Sequence, residues 1–553
     1  MPTNLPIRGL GTAGVITDVD PFNLPLPAYS RALNVRFSDG SISRSPVMRT
    51  LLSSISFNPQ FTYGIFSSSG YDTVLVASDT FQIHEYSSNG SLTDRSGSIS
   101  AVSASSVPYT GTTLADVVYI NRPDRVPVFR GPTDTNFADL PNWPSSAHRA
   151  VALRSYGDFL IALNTTEANG VNFPNRVRFS DIALANAVPS SWDATDTTKS
   201  AGTNDLVQME TPIVDGLSLG TNFCIYSSDQ VWLMEFTGGA FIHNFRKLYS
   251  SSGVINQNCI VEAEGKHFVF DSDDIYVHDG VTKQSIADGR VKDYIFGGLD
   301  NDSTQDCFVQ HNQSLNEIYF CYPSSDDLTT SHPAFSGAVN CNRAACYNYR
   351  NNTWSFMDLP HVISGTTANV NSVSTYAGSS GLLTYANAGG TYAAQEAGFD
   401  RHVVMVGKAN SAGNASSHVI SANALYGLDL SDTGTLSQPL NTAATGAPFV
   451  ERVGIDLDEA GIPLTGYKVI SKIVPQVTTI NTADKTFAFT FGSAILSGDV
   501  PSYSTSQTLD ISSDYKLNTR QGGRYLSYKM SLSDTKDFSL SGFDLDVSIT
   551  GRR

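Results

Sequence analysis

Val231-Trp-Leu-Met-Glu-Phe-Thr-Gly238 is the stretch that decides the fold: β-branched and aromatic residues run as a strand into a glycine turn. The same ending recurs in Phe81-Gln-Ile-His-Glu-Tyr before Gly90, in Val126-Pro-Val-Phe-Arg-Gly131 and in Ile275-Tyr-Val-His-Asp-Gly280. Successive glycines lie 41 (90 to 131), 107 (131 to 238) and 42 (238 to 280) residues apart. A period of about 40–45 residues is that of one four-stranded propeller blade. The long gap then holds two blades plus an insertion around 164–174 or 190–204, both polar. One blade cannot bury both faces, so blades stack around an axis. A succession of β-sandwiches with accidental spacing is the competing reading.

Working outward, hairpins are legible at Ala152–Leu163, Phe223–Phe236 and His267–His278, each bent at a short polar or glycine turn. Cys346–Phe356 reads as strand, Asn turn, strand. No stretch shows three turns of helical periodicity. From 361 to 440 Ala, Ser, Thr, Asn and Gly dominate, apart from His402-Val-Val-Met-Val-Gly407. Strands resume at Val450–Leu457, Tyr467–Val474 and Phe487–Phe491. The closing Phe543-Asp-Leu-Asp-Val-Ser-Ile549 alternates strictly, so one face is buried and Asp544, Asp546 and Ser548 are displayed. The expected fold is all-β: a β-propeller core with an additional antiparallel β domain and long loops. Its divisions are 1–60, an N-terminal arm with first strands; 61–360, the propeller with insertions; 361–440, a loop-rich insertion and candidate channel gate or tip; and 441–553, a C-terminal antiparallel domain or propeller-closing strands.

At 553 residues the chain exceeds a single ordinary core. Only 16% of residues are charged, against about 25% in a typical soluble chain. The net charge of −17 argues against gripping nucleic acid, which takes clustered Lys and Arg, yet it suits a surface that DNA slides past. Residues 201–310 hold 16 acidic against six basic residues, and Asp271, Asp273, Asp274 and Asp279 are the candidate acidic lining of a channel. Residues 1–60 are the reverse, and Arg31, Arg36, Arg44 and Arg49 are candidates for contact with an acidic partner. Met1-Pro-Thr-Asn-Leu-Pro lacks a leader's basic and apolar regions, no apolar run approaches the 18 or so residues of a membrane span, and the six cysteines form no CxxC. Assembly in a reducing cytoplasm, without membrane insertion, is expected.

Three patterns imitate chemistry. Gly9-Leu-Gly-Thr-Ala-Gly14 matches a dinucleotide fingerprint, but extended residues ending in Pro21 follow it where a helix is required. Gly216-Leu-Ser-Leu-Gly220 matches a nucleophile elbow, but the sequel Asn222-Phe-Cys-Ile-Tyr226 is another strand. His267, Asp271, Asp273, Asp274, His278 and Asp279 are dense in ligand types, yet lack the spacing of a calcium loop and read as turn residues. No catalytic residue, metal or cofactor is therefore expected.

Gly14-Val-Ile-Thr-Asp-Val-Asp-Pro-Phe-Asn-Leu-Pro25 followed by Ala32-Leu-Asn-Val-Arg-Phe-Ser-Asp-Gly-Ser-Ile-Ser-Arg44 resembles the opening of tail nozzle proteins of short-tailed bacteriophages, also called tail tubular protein B, tail hub or packaged-DNA stabilisation proteins. Gly523-Arg-Tyr-Leu-Ser-Tyr-Lys-Met530 and Phe538-Ser-Leu-Ser-Gly-Phe-Asp-Leu-Asp-Val547 are similar to the closing segments of the same group, and Arg178-Phe-Ser-Asp181 with Pro189 and Trp192 is a weaker match. The matches cover about a sixth of the chain. The resemblance implies a non-enzymatic virion protein, assembled in the host bacterial cytoplasm as a homo-hexamer beneath the portal's adaptor ring, with tail fibres or spikes as further partners. Its channel retains packaged double-stranded DNA and conducts it at ejection without specific binding. The alternative is a carbohydrate-binding or glycan-degrading propeller of the tail, which requires an aromatic pocket and paired carboxylates.

Overall fold

In the computed structural model the glycine-ended strands are the third strands of four-stranded antiparallel sheets. The structure describes residues 3–324, 340–369, 402–409, 422–429 and 448–549, apart from short breaks at 69, 88–89, 240, 459–460, 462–465, 481–484, 498 and 533–536. Five such sheets follow one another: blade I from Pro59–Ser67 to Ser91–Asp94, blade II from Thr110–Leu114 to Ala138–Asp139, blade III from Arg149–Tyr156 to Gly202–Asp205, blade IV from Ile213–Leu219 to His243–Ser250, and blade V from Ile260–Ala263 to Lys283–Ser285. The insertion that breaks the glycine period is the connection 180–201 within blade III, between Asn172–Phe179 and Gly202–Asp205.

The remaining sheet of the ring has seven strands and makes two blades. Blade VI comprises Phe308–Asn312, Glu317–Tyr322, Cys341–Asn348 and the first half of Thr353–Ala368. That 16-residue strand pairs with Cys341–Asn348 from Thr353 to Asp358 and, past a bulge, at Val362, and with His402–Gly407 from Val362 onward. Pro360 cannot donate a ladder hydrogen bond, and His361 takes a positive φ of 50°, so the strand kinks between its two halves. The second half is the axial strand of blade VII, completed by His402–Gly407, Ala424–Asp429 and, outermost, Val47–Leu52 from the start of the chain. The ring closes where Thr62 N and Gly64 N donate to Ser364 Oγ (3.1 Å) and Thr366 Oγ1 (2.7 Å). A Cβ on Gly64 would lie 1.9 Å from the Thr367 carbonyl oxygen, so only glycine permits this approach.

The core sits between blades. Leu114, Val117 and Tyr119 of blade II meet Leu153, Leu160 and Ala162 of blade III, capped by Trp143 and Trp192 at 4.8 Å between rings. Val74 and Val76 of blade I meet Val404, Val406 and Leu425 of blade VII. Such doubly covered strands lose the alternation of a half-buried strand: all five residues of Val117–Asn121 and all eight of Cys341–Asn348 are buried. Each large apolar side chain so buried contributes about 1.5–3 kcal/mol.

His243 begins the outer strand of blade IV and lies in a cage of Phe159, Phe179, Phe236 and Tyr156 rings at 4.6–5.8 Å. Both its ring nitrogens are buried without a hydrogen-bond partner, and burial lowers its pKa to about 4. A depressed histidine contributes stability that is complete above its ordinary pKa near 6.5 and lost as pH falls through about 4. His243→Phe is expected to flatten the loss of stability between pH 7 and pH 4, and to raise stability at pH 7 by about 1 kcal/mol because no unpaired nitrogen stays buried. Urea midpoints of both proteins across that range measure the effect; equal slopes would show that His243 titrates alike in the folded and unfolded states.

Two further six-stranded sheets form a sandwich. One contains Thr3–Arg8, Val35–Ser38, Ser41–Arg44, Lys468–Ile480, Leu517–Gly523 and Asp537–Ile549; the other contains Arg31–Leu33, Phe449–Ile455, Thr486–Ala494, Ser502–Tyr503, Gln507–Asp510 and Tyr525–Ser531. Phe543 from the first packs edge-on to Phe489 and Tyr528 of the second. The displayed face of the last strand carries Asp544 and Asp546, paired at 2.7 Å with Arg8 and Lys472. The sandwich core is continuous with that of blades IV to VI through residues such as Leu10, Val15, Tyr347 and Trp354.

These sheets redraw the expected divisions. Residues 1–60 are not an arm: four of their strands belong to the sandwich sheets and one closes the propeller. Within 361–440, the expected loop-rich gate or tip, His402–Gly407 and Ala424–Asp429 are blade strands, while 370–401, 410–421 and 430–440 lie outside the described residues. Residues from 448 onward join the sandwich and do not close the ring. The GxGxxG glycines serve close packing, since a Cβ on Gly11 would lie 2.1 Å from the Ser41 carbonyl oxygen. Gly216 to Gly220 span a strand and its hairpin turn, with Ser218 Oγ donating to the Ser155 carbonyl at 2.8 Å.

Candidate functional site

Innermost strands of all seven blades converge on a cavity of about 430 Å³. Converging strands crowd the axis, and small residues such as Gly111, Thr112, Gly216, Ser364, Gly365 and Thr366 line it between larger ones such as Tyr63 and Phe308. Arg154, from the axial strand of blade III, crosses this space. Its Nε and Nη2 donate to Asp215 Oδ1 and Oδ2 of blade IV at 2.8 and 2.6 Å. Nη2 also donates to Asn258 Oδ1 beside blade V at 2.9 Å, and Nη1 to the Gly111 carbonyl of blade II at 3.1 Å. Asp215 accepts further hydrogen bonds from Gly216 N (2.8 Å) and Asn258 N (2.9 Å). Burial alone would lower the Arg154 pKa; the charge and hydrogen bonds of Asp215 outweigh it and raise it. One guanidinium therefore ties four blades together at the axis.

This arrangement bears on two expectations. Asp215 is the one carboxylate of the lining among the described residues, and its two oxygens are held by Arg154, so the described lining presents no carboxylate pair of the kind glycan cleavage uses. A duplex whose major groove alone is about 12 Å wide cannot thread an axis bridged by side chains.

The four candidate lining aspartates do not reach the cavity. Asp271 is buried, its pKa raised by that burial, and accepts from Gly253 N and Ser272 N at 2.8 and 2.7 Å. Asp274 accepts from Ile275 N and Ser285 Oγ. Asp279 holds a turn by accepting from Thr282 N and Val281 N, which keeps its carboxyl at about 2. Asp273 is exposed. Three of the four thus act as turn residues of blade V.

Two of the candidate adaptor arginines, Arg36 and Arg44, are turned inward. Arg36 pairs with Glu317 of blade VI at 2.9 Å, Arg31 pairs with Glu451 at 3.4 Å, and Arg44 is buried. Arg49 sits on the closing strand opposite Gly427; its side chain lies outside the described residues. These cations hold the fold, so a contact with an acidic partner does not rest on Arg36 or Arg44.

Sequence reading passed over Arg154, Asp215, Asn258 and Cys224. A signal for the first two was present: Asp215 is the single charge of its strand and Arg154 sits among apolar and small residues in its own, and a charge inside a buried strand demands an opposite one nearby. The histidines of the ligand-rich stretch, His267 and His278, come together with Cys224 and Tyr226, while the aspartates between them turn away.

No protein-family model matches the sequence, and no curated protein is similar to it. Among solved structures, the chain is similar to the WD40 repeats of RRP9, with 9% identity over 70% of this chain and 99% of that chain at a TM-score of 0.36. It is also similar to YCF48 bound to D1 peptide, with 10% identity over 55% of this chain and 83% of that chain at a TM-score of 0.31. On the blades described above, the chain is an all-β protein built on a β-propeller with an antiparallel β-sandwich beside it.

Proposed function

We propose that this chain is a subunit of the hexameric tail nozzle of a short-tailed bacteriophage, a structural virion protein that retains packaged DNA and conducts it at ejection. One observation carries the reading. The segments that resemble the nozzle family at the two ends of the sequence meet in space: Arg31–Leu33 and Tyr525–Ser531 both flank Phe449–Ile455 or its neighbours in one sheet, and Ser41–Arg44 pairs with Asp537–Ile549 in the other. The matches at 32–44, 523–530 and 538–547 thus fall on one sandwich, whereas the weaker match at 178–192 lies in blade III.

In this reading the DNA path runs between subunits, since side chains bridge the propeller axis. Six copies at −17 would line or flank such a channel with a field that repels phosphate, leaving the polyanion mobile. The acidic stretch 201–310 supplies exposed Glu262, Glu264, Asp273 and Asp288 on or beside blade V.

Negative-stain microscopy of the protein mixed with its adaptor ring is expected to give six-fold rings with a duplex-wide opening, and the protein itself is expected to show no DNA affinity at physiological salt. Filled virions lacking the protein, or a particle with no opening on a symmetry axis, would remove the proposal.

A further inference from the structure

We propose that Cys224, Tyr226, His267 and His278 form a buried binding site for a zinc-like divalent cation between blades IV and V. Cys224 and Tyr226 project from the same face of Asn222–Ser227, two residues apart, and the histidines face them from the paired strands Lys266–Phe270 and Ile275–His278. Sγ of Cys224 and a ring nitrogen of each histidine lie within 4.8 Å of one another, and all three residues are buried. The Tyr226 hydroxyl lies between the imidazoles, 2.7 Å from His267 Nδ1 and 2.6 Å from His278 Nε2. One sulfur and two imidazole nitrogens gathered together, with a phenol oxygen between the imidazoles, are a ligand set of the soft and borderline type that suits zinc and not calcium or magnesium.

Two features prepare the set for a metal. His267 Nε2 is 2.8 Å from the Ser218 carbonyl, which must accept its proton; Nδ1 therefore presents a lone pair inward, the orientation that outer partners impose on metal-binding histidines. The Tyr249 hydroxyl beside the site is also buried without a hydrogen-bond partner, its ring 5.4 Å from that of His278.

The proton balance is explicit. In the metal-free protein Tyr226 donates to His267 Nδ1 and accepts from His278 Nε2–H, because His278 Nδ1 accepts from Gly280 N at 3.2 Å. Loading releases the Cys224 and Tyr226 protons to solvent and moves the His278 proton from Nε2 to Nδ1, at the loss of the long contact with Gly280. Two anionic ligands and two neutral imidazoles then neutralise a divalent cation in a dry site, so no net charge is buried.

The test uses the full chain with zinc and cobalt ions. Zinc is expected to remain stoichiometric after dialysis, and cobalt to give the intense visible bands of tetrahedral coordination with thiolate-to-cobalt charge transfer. Cys224→Ser should abolish the charge transfer, and His278→Gln should weaken zinc retention by about tenfold or more. X-ray absorption of the zinc-loaded wild type, which needs no variant to fold, should show sulfur and nitrogen neighbours together. A cobalt spectrum without charge transfer, zinc with oxygen neighbours only, or unchanged retention in Cys224→Ser would each overturn the site.

Discussion

A chain beginning at residue 57 is expected to lose cooperative folding altogether, not merely the ability to dock. Its missing residues include Val47–Leu52, the outermost strand of blade VII, whose Met48 is buried at 1% exposure. They also include Thr3–Arg8, Arg31–Leu33, Val35–Ser38 and Ser41–Arg44, four strands of the sandwich sheets. Removing a single buried methionine side chain typically costs about 2–5 kcal/mol, and a whole domain is stable by only about 5–15 kcal/mol, so losing five strands exceeds what the rest can supply. The bared edge of Ala424–Asp429 would also invite pairing with other chains. Near-ultraviolet circular dichroism and size-exclusion chromatography check this. A soluble truncated protein with the full-length thermal midpoint would show that these residues are a detachable arm after all. Met48→Lys is the milder form, expected to lower stability by about 3 kcal/mol.

Arg154→Met is expected to destabilise the propeller by about 3–5 kcal/mol, because Asp215 is left buried without its counter-charge. Arg154→Lys should recover part of this: an ammonium restores the charge but cannot engage both carboxylate oxygens and two further acceptors at once. Pairing Arg154→Met with Asp215→Leu should return stability close to the wild-type value, since an apolar pair removes the orphaned charge. Urea unfolding followed by fluorescence of the buried Trp143, Trp192, Trp232 and Trp354 measures all three. If the double variant is as unstable as Arg154→Met, the contribution lies in the hydrogen bonds to Gly111 and Asn258 and not in the charge pair.

The repeating unit was legible because a glycine turn follows the third strand at Gly90, Gly131, Gly238 and Gly280, a local signal that survives without tertiary information. Blade III broke the count through its 180–201 connection, yet its hairpin could be read directly. Blades VI and VII could not be separated from sequence. One strand serves both without a turn, and the last strand of blade VII lies more than 370 residues before its partner, where nothing local marks the pairing. The acidic run 271–279 attracted attention by composition, but Asp is equally a turn residue, and backbone amides claimed three of the four carboxylates. The axial arginine and the Cys–Tyr–His–His group depend on strands from different blades meeting, which no spacing rule encodes.

Asn4 Nδ2 donates to Asp546 Oδ1 across 542 positions of sequence, within the pairing of Thr3–Arg8 and Asp537–Ile549. At a synthesis rate of about 5–20 residues per second, roughly half a minute to two minutes separates the emergence of these two strands from the ribosome. Throughout that interval the opening strands and their apolar face, Ile7, Val35, Phe37 and Ile42, wait without their final cover. Blades I to V can form progressively as translation proceeds, whereas the sandwich is completed last. Hosts with slower elongation or fewer chaperones should therefore accumulate nascent chains whose first-made segment is the last to be protected.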